Sequence, residues 1–258
     1  MRHSTTFLMS LIVASILVLM FLNLVLGSVS IPLKSVWNII CGLGDEPVTW
    51  QNIVWKSRLP QALTALVAGA GLAISGLQMQ TVFRNPLAGP SVLGISSGAS
   101  MGVAFVVLLS GSLGGVALSK LGFMGEIALS IAAVIGSLSV MALIVYVSQK
   151  VKGNVTLLII GVMIGYVANA VIGVLKFFSV EEDIRAYVIW GLGSFSRVSG
   201  NQMMLFVAIM AILIPLSFLL IKTLNLMLLG DGYARNLGLN IKRARLLVIT
   251  LSLIHISE

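Results

Sequence analysis

Six stretches of this chain stay apolar for the length of a bilayer crossing, and nothing else in it narrows the fold as far. They are Leu8–Leu26, Gln61–Val82, Val92–Ser110, Ile127–Ser148, Leu157–Phe178 and Gln202–Ile221. A seventh begins near Leu246 and runs into the C-terminus. About 20 apolar residues carry a helix through the hydrocarbon core. Lipid offers no water to backbone N–H and C=O groups, so only helices and closed barrels cross it. The alternating segments of about 10 residues that build a barrel are missing. The expected fold is all-α, a polytopic bundle of transmembrane helices. Hydrophobic residues at 58% and charged residues at 9% exclude an ordinary soluble domain. MRHS ahead of the first run could open a signal peptide. However, Leu8–Leu26 is longer than a signal core and no small-x-small cleavage site follows it, so it is read as the first membrane helix.

Between the second and third runs stands NPLAGP, Asn85 to Pro90. Pro86 and Pro90 lack a backbone donor, and each pushes the residue before it out of the helical region. A helix is expected to end near Arg84 and the next to begin near Ser91. Irregular backbone survives at membrane depth only where protein or an aqueous cavity takes up its polar groups. Such a break belongs at a pathway or a gate. Gln78 and Gln80, one turn earlier, are expected to bond across helices or to the broken backbone, because an unpaired buried amide is costly. Small residues recur at four-residue spacing: Ala65, Gly69 and Ala73; Gly94, Gly98 and Gly102; Gly161 and Gly165. Such stripes let helices approach closely. Asn169 continues the last stripe as a polar group at membrane depth.

The formal charge is +8, from 16 Lys and Arg against 8 Asp and Glu. With the N-terminus inside, the inner segments hold Arg2, Arg84, Lys150, Lys152, Lys222, Arg235, Lys242, Arg243 and Arg245. The outer segments hold the other seven cations, so the count itself differs little, and the basic cluster Lys242–Arg245 and the short N-terminus favour an N-terminus inside. The charge is read as setting topology and touching headgroups, not as binding nucleic acid. Cys41 is the only cysteine, which excludes an internal disulfide. His3 and His255 stand at opposite ends, and no metal-ligand, nucleophile–base or phosphate-cradling pattern occurs. No catalytic residue, cofactor or resident metal is expected.

RLP (Arg58 to Pro60), a small-residue helix, RNPLAGP (Arg84 to Pro90) and LGISSGASMG (Leu93 to Gly102) follow one another in order. This string resembles the membrane permease of binding-protein-dependent ABC importers for iron chelates, haem and cobalamin. AYVIWGLGSF (Ala186 to Phe195) is similar to that family's short outer helix. LGDGYARNLGLNIKRAR (Leu229 to Arg245) is similar to its coupling helix.

The resemblance implies roles residue by residue. Asn85 and Leu87 in one turn, and Asn154 and Val155 in the turn after the fourth span, would form the cytoplasmic gates. Gly161, Gly165 and Asn169 would line the translocation path at the axis of a homodimer. Arg58 would receive a carboxylate of an extracytoplasmic substrate-binding protein, a task suited to a permanently charged planar fork. Gln61 stands where many relatives have a second arginine. Gly230, Asp231, Tyr233, Ala234, Arg235, Leu237 and Gly238 would form the helix that packs into a cytoplasmic ABC ATPase dimer. There Asp231 is expected as N-cap, Gly238 as stop, and Tyr233, Ala234 and Leu237 as a contact ridge.

The chain would then be a transport subunit of the bacterial inner membrane and not an enzyme, with ATP hydrolysed on its partner. Iron–siderophore complexes are the favoured cargo, with haem or cobalamin as the others. The alternative is an ion-coupled secondary transporter. Such proteins usually hold ionisable groups within their spans, whereas Asn23, Gln78, Gln80 and Asn169 are neutral. Relatives run to about ten spans and carry a GPxxFxGLxxPH segment that this chain lacks, so residues 1–250 are read as an incomplete permease domain. Leu251–Glu258 can be encoded by the mosaic-end adapter of sequencing libraries, and is expected to be a non-native tail.

Overall fold

The structure, a computed structural model, describes residues 2–86, 88–89, 93–112, 123–151, 154–195, 198 and 200–257. Among the described residues the chain forms helices and no strand. α1 (Arg2–Val25) contains neither Gly nor Pro, and from Thr5 to Leu19 it is exposed and largely apolar on every face, as suits a helix solvated by lipid. α2 (Leu33–Cys41) starts after Pro32 and stops at Gly42, whose φ of 67° suits a left-handed C-terminal cap. α3 (Val48–Ile53) starts after Pro47 and passes through a π-helical turn, Val54–Arg58, into α4 (Leu59–Phe83). Pro60 can donate no hydrogen bond to the preceding turn, and the ladder widens immediately before it.

Beyond the NPLAGP break come α5 (Ile95–Ser112), α6 (Phe123–Lys150), α7 (Asn154–Phe178) and α8 (Glu181–Gly191). α9 (Gly200–Phe218) carries Pro215 in its last turn and is followed by α10 (Ile221–Leu228), α11 (Asp231–Asn236) and α12 (Ile241–Ser257). Asn240 starts α12 earlier than the apolar pattern suggests, its Oδ1 accepting the Arg243 N–H at 3.1 Å. Among the described residues five helical stretches are long and apolar enough to cross a membrane: Thr5–Val25, Val48–Phe83, Ile127–Val147, Val155–Phe178 and Gly200–Phe218. Ile95–Leu109 is a shorter apolar helix.

The chain divides into two compact units. The first comprises Met1–Ala70 with Ser194–Ile209, and its core gathers Leu24, Ile31, Val36, Ile39, Val54 and Ala62. The second comprises Gly71–Gly193 with Met210–Glu258. One of its clusters joins Val103, Ala104, Val107 and Leu108 of α5 to Ile172 of α7 and Tyr187 of α8.

Within the second unit α5 and α6 meet backbone to backbone. A Cβ on Gly102 would lie 2.2 Å from the Ala132 carbonyl oxygen, and one on Gly136 would lie 2.2 Å from that of Gly98. The Gly98–Gly102 stripe is thus a crossing point, while a Cβ on Gly69 would meet nothing within 4 Å. Gly102→Ala is expected to destabilise the full-length protein in detergent by about 1–3 kcal/mol through overpacking. Gly69→Ala should leave its melting temperature within error.

Candidate functional site

The second unit builds the break from the end of α4. Arg84 has φ 48°, a left-handed conformation that glycine usually takes at this place. Its N–H donates to Thr81 O at 3.3 Å, and the Asn85 N–H donates to Gln80 O at 3.1 Å. These two bonds close a Schellman cap in which an arginine stands where glycine would be cheaper by about 1–2 kcal/mol. Across Pro86, the Ala88 N–H donates to Asn85 O at 3.0 Å. Ala88 is fully buried in a cluster with Val82, Phe83, Leu93, Leu157, Met227 and Val248. Protein, not lipid, therefore encloses this part of the broken backbone, as the break requires.

The Arg84 side chain explains its place. Nη2 donates to the Met227 carbonyl at 3.1 Å and to Asp231 Oδ1 at 2.5 Å. Arg245 Nη2 stands 3.6 Å from the other Asp231 oxygen. Arg245 is buried and its Nε has no hydrogen-bond partner. One carboxylate thus faces two guanidinium groups, one on the α4 cap and one near the start of α12. A cation in the first turns of a helix opposes the helix dipole, and Asp231 offsets that for Arg245.

This geometry corrects two expectations for the LGDGYARNLG segment. Asp231 is not the N-cap of α11: Gly230, with φ 111°, holds that position, and Asp231 is the first helical residue. Its carboxylate is turned to the arginines instead. Ala234 is fully buried, so it belongs to the inward face of α11 and not to a contact ridge. Tyr233 and Leu237 are exposed at 70% and 62%, and Arg235 is exposed beside them. Gly238 does end the helix: its φ is 87°, and the Leu239 N–H donates to Ala234 O at 2.9 Å.

On α5 and α7 a shallow cleft of about 250 Å³ is lined by Gly94, Ser97, Gly161, Gly165, Tyr166 and Asn169. Gly94 has φ 75°, and a Cβ there would lie 2.8 Å from the Gly161 carbonyl oxygen. The Gly161, Gly165 and Asn169 side of α7 is thus brought together as the stripe suggested, with Asn169 exposed. Val155, near the start of α7, is 67% exposed; for Asn154 only the backbone is described, and Leu87 lies outside the described residues. Gln78 Oε1 accepts from Ser252 Oγ at 2.5 Å and the Ser75 hydroxyl donates to Ser252 O at 3.0 Å, so the cross-helix partner found for Gln78 lies in the 251–258 segment expected above to be a non-native tail.

In the first unit Arg58 departs from the docking role. It is 5% exposed, and its guanidinium donates to the carbonyls of Leu24 and Val25 at 2.8 Å each and to that of Val29. Those groups include the unpaired carbonyls at the end of α1. A Cβ on Gly27 would lie 2.8 Å from Arg58 Nη2, so glycine makes room for the cation. The arginine expected at the surface is a buried cap, and a carboxylate could reach it only after those carbonyls are released.

Sequence reasoning missed Arg84, Met227, Arg245 and Gly136. The RNPLAGP string placed Arg84 at a helix end, but its left-handed backbone and its bond to Asp231 are visible only in the fold. Nothing in the spacing signalled the others.

A helical membrane protein with a packed, proline-broken turn and an exposed short helix bonded to it is the class these features define. Comparison with known proteins supplies the family. Residues 15–257 match the FecCD transport family, and the chain belongs to it. It is 34% identical to the hemin transport system permease protein HmuU of Yersinia pestis, over 89% of this chain and 65% of that protein. It is 36% identical to the vitamin B12 import system permease protein BtuC of Serratia proteamaculans, over 77% of this chain and 56% of that protein. A Helicobacter pylori protein named a probable iron chelatin transport system permease is 37% identical over 76% of this chain and 56% of its own length. An inward-facing structure of an ABC transporter assigned to the metal-chelate type superposes with a TM-score of 0.75 at 26% identity. That match covers 94% of this chain and 71% of the other. The chain therefore spans between about half and two thirds of the length of these curated relatives.

Asp183, in the first turn of α8, is buried with one carboxylate oxygen unpartnered, and desolvation together with the nearby Glu182 raises its pKa. A carboxyl whose folded pKa lies above its unfolded value binds more protons when folded. Stability therefore falls as pH rises from the ordinary carboxylate value to the raised one. Asp183→Asn should flatten that slope and raise the neutral-pH melting temperature, as read by thermal unfolding between pH 4 and 8.

Proposed function

We propose that this chain is the permease subunit of a binding-protein-dependent ABC importer in the bacterial inner membrane, with its N-terminus in the cytoplasm. Its cargo would be an iron chelate, most simply an iron–siderophore complex, with haem and cobalamin as the other candidates. The observation that carries the reading is the packing of the broken turn and the exposed α11 into one unit, joined by Arg84 and Asp231. The names of its relatives, which include hemin, vitamin B12 and iron chelatin permeases, support the cargo class.

In this reading two copies of the permease meet along α7, and Gly161, Gly165 and Asn169 face the path between them. Asn85, Leu87, Asn154 and Val155 close that path at its cytoplasmic end. Tyr233, Arg235 and Leu237 face a cytoplasmic ATPase dimer, and a substrate-binding protein delivers cargo on the opposite side. The ATPase supplies free energy by binding the two states of the permease unequally, since only differential affinity shifts an equilibrium.

Full-length permease reconstituted with its ATPase and binding protein should take up ferric chelate in an ATP-dependent manner. Hydrolysis that ignores both the permease and the binding protein would sink the assignment. Growth under iron limitation with and without the intact gene identifies the cargo, and a defect corrected only by cobalamin would move it to that class. Arg235→Glu should leave expression unchanged and weaken ATPase co-purification by about tenfold to hundredfold, the loss of a charge-assisted contact of about 1.5–3 kcal/mol.

A further inference from the structure

The geometry points to Arg84 as the positioning residue that ties the broken turn to α11, so that the two move as one lever. The inference rests on the importer reading and deepens it. The gate turn and the coupling helix are 147 residues apart in sequence, and the resemblance assigns them separate tasks. In the structure they are joined at two points. Ala88 of the turn and Met227, just before α11, share one buried cluster. Arg84, immediately before Asn85, bonds both to the Met227 carbonyl and to the carboxylate that starts α11.

The backbone at this helix end suits glycine better than arginine. A helix end with φ 48° accommodates glycine without strain, and the comparable ends at Gly42 and Gly238 have it. Arg84 takes that conformation against its backbone preference, and strained residues of this kind gather at functional elements. The ion pair is not a source of stability, because each partner's side chain is 41% exposed and such pairs contribute little. What it provides is geometry: a displacement of α11 pulls on Asp231, and through Arg84 on the residue bonded to Asn85. Arg245 holds the same carboxylate from α12, so the lever has a third arm in the helix that follows.

The test uses the full-length permease with its ATPase and binding protein in lipid vesicles, reading cargo transported per ATP hydrolysed. Arg84→Gly keeps the helix cap and removes the link. It should retain ATPase co-purification and basal hydrolysis while losing at least tenfold of the transport per ATP. Arg84→Glu should lose as much or more. Arg84→Lys keeps a cation facing Asp231 and should hold most of the coupling, and adding Asp231→Asn to Arg84→Gly should cost little more than Arg84→Gly alone, a non-additivity expected of two residues that share one link. Arg84→Gly coupling at the parental ratio overturns the inference, and so does Arg84→Lys no better than Arg84→Glu. If Arg84→Gly does not fold, the comparison of Arg84→Lys with Arg84→Glu decides alone. Failure of the parental permease to bind or stimulate any ATPase strikes the importer reading itself, and that arm is read without any variant.

Discussion

Every helix that ends inside this molecule leaves backbone carbonyls and N–H groups that lipid cannot satisfy, and the way those groups are met governs the rest of the structure. At the end of α1 the answer is a side chain from elsewhere in the sequence: Arg58 reaches the carbonyls of Leu24, Val25 and Val29. A cation at a helix C-terminus also suits the dipole there. At the end of α4 the backbone closes its own Schellman cap, which leaves the arginine at that cap free to bond outward. Two arginines at two helix ends thus solve opposite problems. One takes up orphan carbonyls; the other carries an element beyond the helix.

The same constraint accounts for the π-helical turn before Pro60 and for the enclosure of Ala88. A proline removes one ladder bond, and the structure either widens the ladder ahead of it or surrounds the freed groups with protein. Close helix contact then supplies what the hydrophobic effect cannot supply between helices in lipid. The Gly98–Gly102 crossing against Gly136 brings carbonyl oxygens within reach of a Cβ, so dispersion contacts are maximal where side chains are absent.

Five of the six spans were legible in the sequence because their length and composition leave one physical solution in a bilayer: Leu157–Phe178 falls within α7 and all but the last residue of Leu8–Leu26 within α1, while the run read as Val92–Ser110 is matched by the shorter apolar helix Ile95–Leu109. The Gly94–Gly98–Gly102 stripe was legible as a packing face, but its partner Gly136 was not, because a crossing point depends on two helices and a stripe is written on one. Asp231 was misread for a related reason. Capping rules are local and favoured an N-cap, whereas the winning interaction came from Arg84 across 147 residues. Arg58 shows the same limit in reverse: RLP marks an arginine at a helix start, and only the fold reveals that the end of α1 lies beside it.

α11 has six residues, too few to hold a helix alone. Its shape is borrowed. Gly230 and Gly238 set the entry and exit with φ of 111° and 87°, Ala234 is anchored in the interior, and Asp231 is held by Arg84 and Arg245. The exposed Tyr233 and Leu237 are therefore presented by a helix whose ordering cost has already been met by the unit beneath it. A partner that docks there loses less entropy than it would on a free peptide, and more of its contact energy remains to move what lies behind. Arg245 holds the same carboxylate from α12, so in the proposed coupling role the exposed face of α11 keeps its shape without Arg84, and Arg84 alone carries the link to the broken turn.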